Sequence, residues 1–300
     1  MENRIYALGF FDGVHLGHQA LLAACCRLAR EQKCIPCAIT FDRHPQSLRT
    51  QAPPLTGTLA DRLRLLRGCG MEQVEVFPVT QAVMDTPWED FLGLLIRLGA
   101  AGFVCGRDFR FGRAAQGTAP LLEEFCRARG LPCRIIDPVC LDGQRVSSSR
   151  IRALLEQGQP EQARRCLGRP HSLTGTVIHG AQLGRTLGTP TANVPISPEV
   201  IVPALGVYAC VCQVDGARYA AVTNVGCCPT VGRRAVHTES WLPDFSGDLY
   251  GHEVTLEFYE FLRPERKFDS LSQLRRQILL DEAAVRAALE EEHLEVENHA

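Results

Sequence analysis

The stretch Gly9-Phe10-Phe11-Asp12-Gly13-Val14-His15-Leu16-Gly17-His18 places two histidines three residues apart among glycines. To its left, Ile5-Tyr6-Ala7-Leu8 reads as a buried strand. To its right, Leu21, Leu22, Cys25, Leu28 and Ala29 recur at helical spacing. His15 and His18 therefore fall on a strand-to-helix turn, at the positive end of a helix dipole. That place suits an anion, above all a phosphate. Gly9, Gly13 and Gly17 allow close backbone approach and unusual dihedrals. A metal pair is one rival, but no third ligand is near and no H-E-x-x-H occurs. A structural turn is the other, and the glycines weigh against it.

Three further stretches could handle ligands. Gly106-Arg107-Asp108-Phe109-Arg110-Phe111-Gly112 follows another apolar strand and reads equally well as a plain polar loop. In Val146-Ser147-Ser148-Ser149-Arg150-Ile151-Arg152, the serines precede a helix. They can cap it, or with Arg152 hold the far phosphates of a nucleotide. Gly180, Gly184 and Gly188 with Pro190 form a loop, and Thr191 and Asn193 just beyond it can offer oxygens to a magnesium ion. No G-x-x-x-x-G-K-[ST] occurs, and no G-x-G-x-x-G follows the first strand, so a P-loop or a dehydrogenase-type dinucleotide fold is unsupported.

The elements that must hold these residues change rhythm along the chain. Up to residue 166, strands (5–8, 35–41, 74–79, 102–105 and 134–139) alternate with helices near 18–31, 59–67, 88–98 and 119–129. That alternation means a parallel sheet covered on both faces, with ligands beyond the carboxyl ends of its strands. Thr86-Pro87-Trp88-Glu89 reads as an N-cap with proline in the first turn. From 167 onward, a hairpin at Asp215-Gly216 and an alternating strand over 253–262 come first, and helices close the chain. Ser270 opens one helix and Asp281 is expected to cap the next. Residues 1–166 and 167–300 are thus expected to be an α/β domain and a small antiparallel barrel or sandwich with C-terminal helices.

Bulk composition agrees with a globular protein. The chain has 300 residues, 45% apolar and 22% charged, with net charge -2, so no basic excess argues for nucleic acid. No run of about 18 apolar residues suggests a membrane span, and no export signal is seen, so the expected place is the cytoplasm. Fourteen cysteines are many. They are expected to be small buried thiols, with Cys34/Cys37 a weak candidate redox pair.

G-x-F-D-G-V-H-x-G-H, followed much later by S-S-[ST]-x-I-R, resembles the H-x-G-H nucleotidylyltransferases. More closely, it resembles the adenylyltransferase half of bacterial bifunctional riboflavin kinase/FAD synthetases. Thr40-Phe41-Asp42-Arg43-His44-Pro45 and the 106–112 loop with Gly117 are similar to that family as well. In the second half, GxxxGRxLGxPTAN, Gly206-Val207-Tyr208, Asn224-Val225-Gly226, Pro229-Thr230 and the run from Glu239 to Gly251 resemble the riboflavin kinase domain, as do Leu262-Arg263-x-Glu265-x-Lys267-Phe268 and Gln277-Ile278-x-x-Asp281.

The resemblance implies a nucleotidylyltransferase-like parallel sheet followed by a six-stranded antiparallel barrel. It implies two reactions: riboflavin to FMN, and FMN to FAD with release of pyrophosphate, each using ATP and Mg²⁺. By motif position, His15 and His18 would place charge at the phosphates. Gly9, Phe11, Asp12, Gly13, Gly17, Ser147, Ser148, Ser149 and Arg152 would bind the first nucleotide, and Gly180, Gly184, Gly188 and Pro190 the second. Asp108, Phe109, Arg263 and Phe268 would lie by flavin, Thr191 and Asn193 by magnesium, and Glu239 would be the carboxylate at the acceptor hydroxyl. Phe10, Ser149, Thr189 and Trp241 depart from the family's usual residues. The expected partners are riboflavin, FMN and ATP, with oligomeric state left open. A nucleotidylyltransferase for another acceptor, such as phosphopantetheine, leaves the second half unexplained. A flavin carrier without turnover should have lost His15, His18, Asn193 or Glu239, and all are present.

Overall fold

The structure, a computed structural model, describes residues 2–48, 52–179, 191–230, 233–292, 294 and 296, side chains at 228–230 and 233–235 excepted. It divides into two compact units, Met1–Ser148 and Ser149–Ala300.

In the first unit, strands β1 (Arg4–Leu8), β2 (Ile35–Phe41), β3 (Gln73–Phe77), β4 (Ala100–Gly106) and β5 (Cys133–Ile136) form one parallel sheet in the order β3-β2-β1-β4-β5. Helices α1 (Leu16–Gln32), α2 (Leu59–Gly68), α3 (Trp88–Arg97) and α4 (Ala119–Arg127) supply the crossovers. Alternation along β1 explains the two layers. Tyr6 and Leu8 join Phe91, Leu95 and Leu122 on one face, whereas Ile5 and Ala7 join Leu22, Leu28 and Leu66 on the other. The chain order reverses beside β1, so the crevice expected of such sheets opens at its carboxyl end. The N-cap expected at Thr86 is not formed. Its hydroxyl donates to the Ala82 carbonyl in a preceding helical turn, and Pro87 precedes α3 with no side-chain cap.

Helix α5 (Ser148–Glu156) leads into the second unit, followed by α6 (Pro160–Leu167), strands β6 (His171–Thr176), β7 (Thr191–Pro195), β8 (Gly206–Val214), β9 (Ala217–Thr230), β10 (Arg233–Trp241) and β11 (Glu253–Arg263), and α7 (Leu271–Glu291). All six strands pair antiparallel in the order β6-β11-β8-β9-β10-β7. The sheet curls until its edges meet, where the Ile178 N–H donates to the Asn193 carbonyl at 2.9 Å. Its inner face packs Leu173, Val194, Tyr208, Val225, Leu256 and Phe258, and α7 covers part of the outer face through Val285, Ala288 and Leu289. At the β8–β9 hairpin, Asp215 (φ 48°) and Gly216 (φ 84°) both take the left-handed conformation that a two-residue turn requires.

Helix α7 runs through Asp281, where the sequence suggested a break. The Asp281 carboxylate is spent on Arg263, taking bonds from Nε at 2.9 Å and Nη2 at 2.6 Å, and so does not cap a new helix. β7 begins just past the expected 180–190 loop and lies at the edge of the strand order, where Pro195 is tolerated. Helices α5 and α6 lie between the sequence boundary at 166/167 and the compact division at 148/149. Glu161 of α6 accepts the Phe261 N–H, and the Leu155 carbonyl of α5 accepts the Ala204 N–H.

Every described cysteine is a free thiol. Burial pushes Cys25, Cys37, Cys105 and Cys212 up to about 12, so Cys37 is no poised redox partner for Cys34.

Candidate active sites

Beyond β1 the backbone coils tightly, with Phe11 at φ 60°, Gly13 at φ 74° and Val14 at φ 40°. The Phe11 ring is buried and lies over Gly9, where a Cβ would stand 2.8 Å from it. Its edge meets the His18 ring at 5.3 Å. Asp12 also turns inward. Its Oδ1 accepts from both the N–H and the hydroxyl of Thr56 at 2.8 Å. The Ser148 hydroxyl donates to the Asp12 carbonyl at 2.9 Å, which ties the serine cluster to the histidine turn across the first unit. Phe11 and Asp12 thus shape the turn from within, through packing and hydrogen bonds.

His15 caps α1. Its Nδ1 accepts the His18 N–H at 3.3 Å, so in the neutral ring the proton sits on Nε2. The two imidazoles stack at 3.6 Å and 15°. Gly17 leaves room for this, since a Cβ there would press to 3.2 Å on the His15 ring. Burial, then His15 and Arg145, holds the His18 pKa well below the usual histidine value. His18 is therefore a neutral hydrogen-bonding group near neutral pH, where the sequence suggested a placed charge. Among the described residues, no cluster of three or more His, Cys, Asp or Glu could hold a metal ion.

Beside this turn lies a cleft of about 350 Å³, lined by Gly9, Phe10, Phe41, Phe91, Phe109 and Phe111 among others. Phe109 stacks on Phe111 with ring centres 5.5 Å apart. Phe10 has the Arg62 guanidinium 4.3 Å from its ring centre and His44 edge-on at 5.1 Å. Its carbonyl accepts from Thr40 Oγ1 at 2.7 Å and Arg62 Nη1 at 3.1 Å. Asp108 pairs with Arg145, joining the 106–112 loop to the ribbon formed by Cys140–Leu141 and Gln144–Arg145. Arg152 donates to Ser149 Oγ at 3.1 Å within the second unit, and Ser147 is half-buried in the first.

The second site is built by register. On β7 and β10, Asn193 pairs with Glu239 and Thr191 with Trp241; on β9, Asn224 also pairs with Glu239. Directly paired residues share a face, so strand pairing alone sets Asn193, Glu239 and Asn224 side by side. Asn193 is buried, and its amide nitrogen donates to the Thr191 carbonyl at 3.3 Å, turning Oδ1 the other way. Thr191 and Asn193 also line a cavity of about 190 Å³ with Ser240, Phe245, Asp248 and Tyr250. Glu239 accepts from His237 Nε2 at 3.1 Å. Arg263, committed to Asp281, also stands 5.9 Å from the Phe268 ring centre, so these two sequence candidates come together. Gly180, Gly184, Gly188 and Pro190 lie outside the described residues.

Sequence reasoning did not single out Arg62, Asn224 or His237 as site residues. Arg62 had a readable signal: it sits on the buried stripe of α2 with Leu66, where an arginine needs partners. His237 had only its alternation with Glu239, which no single strand makes informative.

Comparisons with known proteins agree with both halves. The FAD synthetase family model matches residues 1–150, and the riboflavin kinase model matches 167–289. A bifunctional riboflavin kinase/FMN adenylyltransferase of Pseudomonas fluorescens is 36% identical, over 94% of this chain and 92% of the relative. Those of Listeria monocytogenes and Escherichia coli K12 are each 33% identical, over 95% of this chain and 92% of the relative. A crystal structure from Streptococcus pneumoniae, described as a macrolide-efflux protein, superposes with a TM-score of 0.87 at 30% identity, covering 95% of this chain and 94% of that one. No helix among the described residues is long and apolar enough to cross a membrane. With both halves matched in order and near-complete coverage of several relatives, the chain belongs to the bifunctional riboflavin kinase/FMN adenylyltransferase family.

Proposed function

We propose that the chain phosphorylates riboflavin to FMN and adenylylates FMN to FAD, with ATP as donor in each step. What supports this reading is a polar constellation in each unit, at positions that the family resemblance assigns to phosphate chemistry: the stacked His15–His18 turn and the Asn193–Glu239 register pair.

In the adenylyl step an FMN phosphate oxygen attacks the α-phosphorus of ATP and pyrophosphate leaves. Such transfer needs positioning and charge stabilisation more than acid-base chemistry. His15 Nε2–H, His18 and the first N–H groups of α1 face the phosphates across Gly9, Gly13 and Gly17. Ser147 and Ser148 hold the leaving end. The aromatic cleft beside Phe109 takes the flat flavin ring, with Asp108 at its rim.

In the kinase step Glu239 accepts the proton of the ribityl 5′-hydroxyl as that oxygen takes the γ-phosphoryl group. Thr191 and Asn193 offer the oxygen donors that a hard cation prefers and would hold Mg²⁺. When bound, Mg²⁺ draws off phosphate charge. Gly180, Gly184, Gly188 and Pro190 form the nucleotide loop of this half by motif position, and Arg263 and Phe268 stand by the flavin. We place the functional division at 166/167, between the two family matches. The free thiols among the described cysteines are consistent with a reducing, cytosolic setting.

The test is incubation of the full chain with riboflavin and Mg-ATP, followed by chromatography of the flavins. FMN and FAD should both form, and formation of neither overturns the reading. Glu239→Gln should slow FMN formation by about 10²–10⁴ and leave adenylylation of added FMN intact. His18→Ala should do the reverse, by about 10²–10³.

A further inference from the structure

Glu239 stands on the outer face of β10 with 40% of its side chain exposed. A glutamate so placed samples several rotamers, and few of them present an oxygen squarely to a substrate hydroxyl. Its strand neighbours do not hold it. Asn193 on β7 gives its amide N–H to the Thr191 carbonyl, and Asn224 on β9 gives its own to Glu265 Oε1 at 3.1 Å. One side chain does hold it. His237, two residues earlier and so on the same face, brings Nε2 to 3.1 Å from Glu239 Oε1, with its own side chain only 17% exposed.

We propose that His237 is the positioning residue of the kinase step: its Nε2–H holds Glu239 Oε1, which aims Oε2 at the 5′-hydroxyl of riboflavin. This rests on the reading of Glu239 as the proton acceptor. The 5′-oxygen forms a bond to the γ-phosphorus, the bond from that phosphorus to the bridging oxygen breaks, and ADP leaves with the electron pair. The hydroxyl proton passes to Glu239 Oε2. His237 keeps its proton throughout and touches no reacting atom.

The experiment compares the full-length parent with His237→Ala, His237→Gln and Glu239→Gln. It measures kcat and KM for riboflavin phosphorylation, and FAD synthesis from added FMN in the same samples. His237→Ala should lower kinase kcat about tenfold and move KM for riboflavin by no more than about twofold, because misaimed groups cost rate before they cost ground-state binding. His237→Gln, whose amide N–H reaches a similar distance, should return kcat to within about threefold of the parent. A His237→Ala kcat equal to the parent's overturns the proposal, as does a His237→Gln variant no faster than His237→Ala. If Glu239→Gln turns over like the parent, the reading of Glu239 fails and the role of His237 fails with it. An inactive Glu239→Gln beside an unimpaired His237→Ala overturns the role of His237 alone. Should His237→Ala also lose FAD synthesis, and so be misfolded, His237→Asn replaces it. Asn is too short to reach Oε1 and should be as slow as expected of the alanine; a parental kcat for it overturns the proposal.

Discussion

Asp12→Ala should loosen the histidine turn from beneath. Asp12 is 5% exposed, and its Oδ1 is the shared acceptor for the N–H and the hydroxyl of Thr56, each at 2.8 Å. A hydrogen bond to a charged acceptor contributes about 1.5–3 kcal/mol. The threonine hydroxyl can rotate toward another acceptor, but the buried Thr56 N–H is fixed by the backbone, and the variant no longer carries a buried carboxylate. The expected net loss is about 2–4 kcal/mol from the first unit. Asp12→Asn keeps a neutral oxygen in place and should lose about 1 kcal/mol. The kinetic effect should be larger. The Asp12 carbonyl receives Ser148, and Gly13 and Val14 lead directly into the cap residue His15, so a shift of about 1 Å there should slow FAD synthesis about 10²-fold. Trp88 lies in the first unit and Trp241 in the second, so a Trp241→Phe background leaves Trp88 to report urea unfolding of the first unit. A midpoint shift worth less than about 0.5 kcal/mol, together with parental FAD synthesis, would refute the view that Thr56 holds this turn.

His18 titrates below its ordinary range when folded, so below about pH 6.5 the unfolded chain takes up a proton that the folded chain does not, and stability falls as pH falls, by about 1.4 kcal/mol per unit until the folded value is reached; Tm measured at pH 7.5 and 5.5 should therefore drop less for His18→Gln than for the parent. Arg263→Ala should strip the buried Asp281 of its partner and destabilise the second unit by about 3–5 kcal/mol, seen as a lowered urea midpoint with Trp241 as reporter. A chain beginning at 149 should unfold at higher urea than one beginning at 167, which lacks the Glu161–Phe261 and Leu155–Ala204 hydrogen bonds and the buried Leu155, Ala163 and Cys166; equal midpoints would show that α5 and α6 add nothing to the barrel.

The parallel half was legible because period and punctuation agree: Ile5–Leu8 alternates between two cores, and glycines mark where the strand ends. The barrel was harder. Asn193 and Glu239 are far apart in sequence, and their meeting depends on the pairing of a short edge strand that no local period marks out. Asp281 looked like a cap because aspartate before a helical stretch often is one, and nothing local reveals that Arg263 has claimed it. Asp12 and Arg62 show the same limit from the other side. Both sit in or beside readable motifs, yet their partners Thr56, Thr40 and the Phe10 carbonyl come from loops and strands that only tertiary packing brings near.

The distribution of thiols has a practical consequence for watching this protein work. Of the described cysteines, Cys140 and Cys227 are exposed, and they fall one in each unit. Thiolate is the species that alkylates, and burial suppresses it at Cys25, Cys37, Cys105 and Cys212. A brief pulse of maleimide dye should therefore write mainly at the surface positions. Cys140 lies on the ribbon whose Arg145 grips the 106–112 loop, and Cys227 follows Gly226, which pairs with His237. Each dye would sit within a few residues of one of the two candidate sites, so natural chemistry alone offers an optical handle on both.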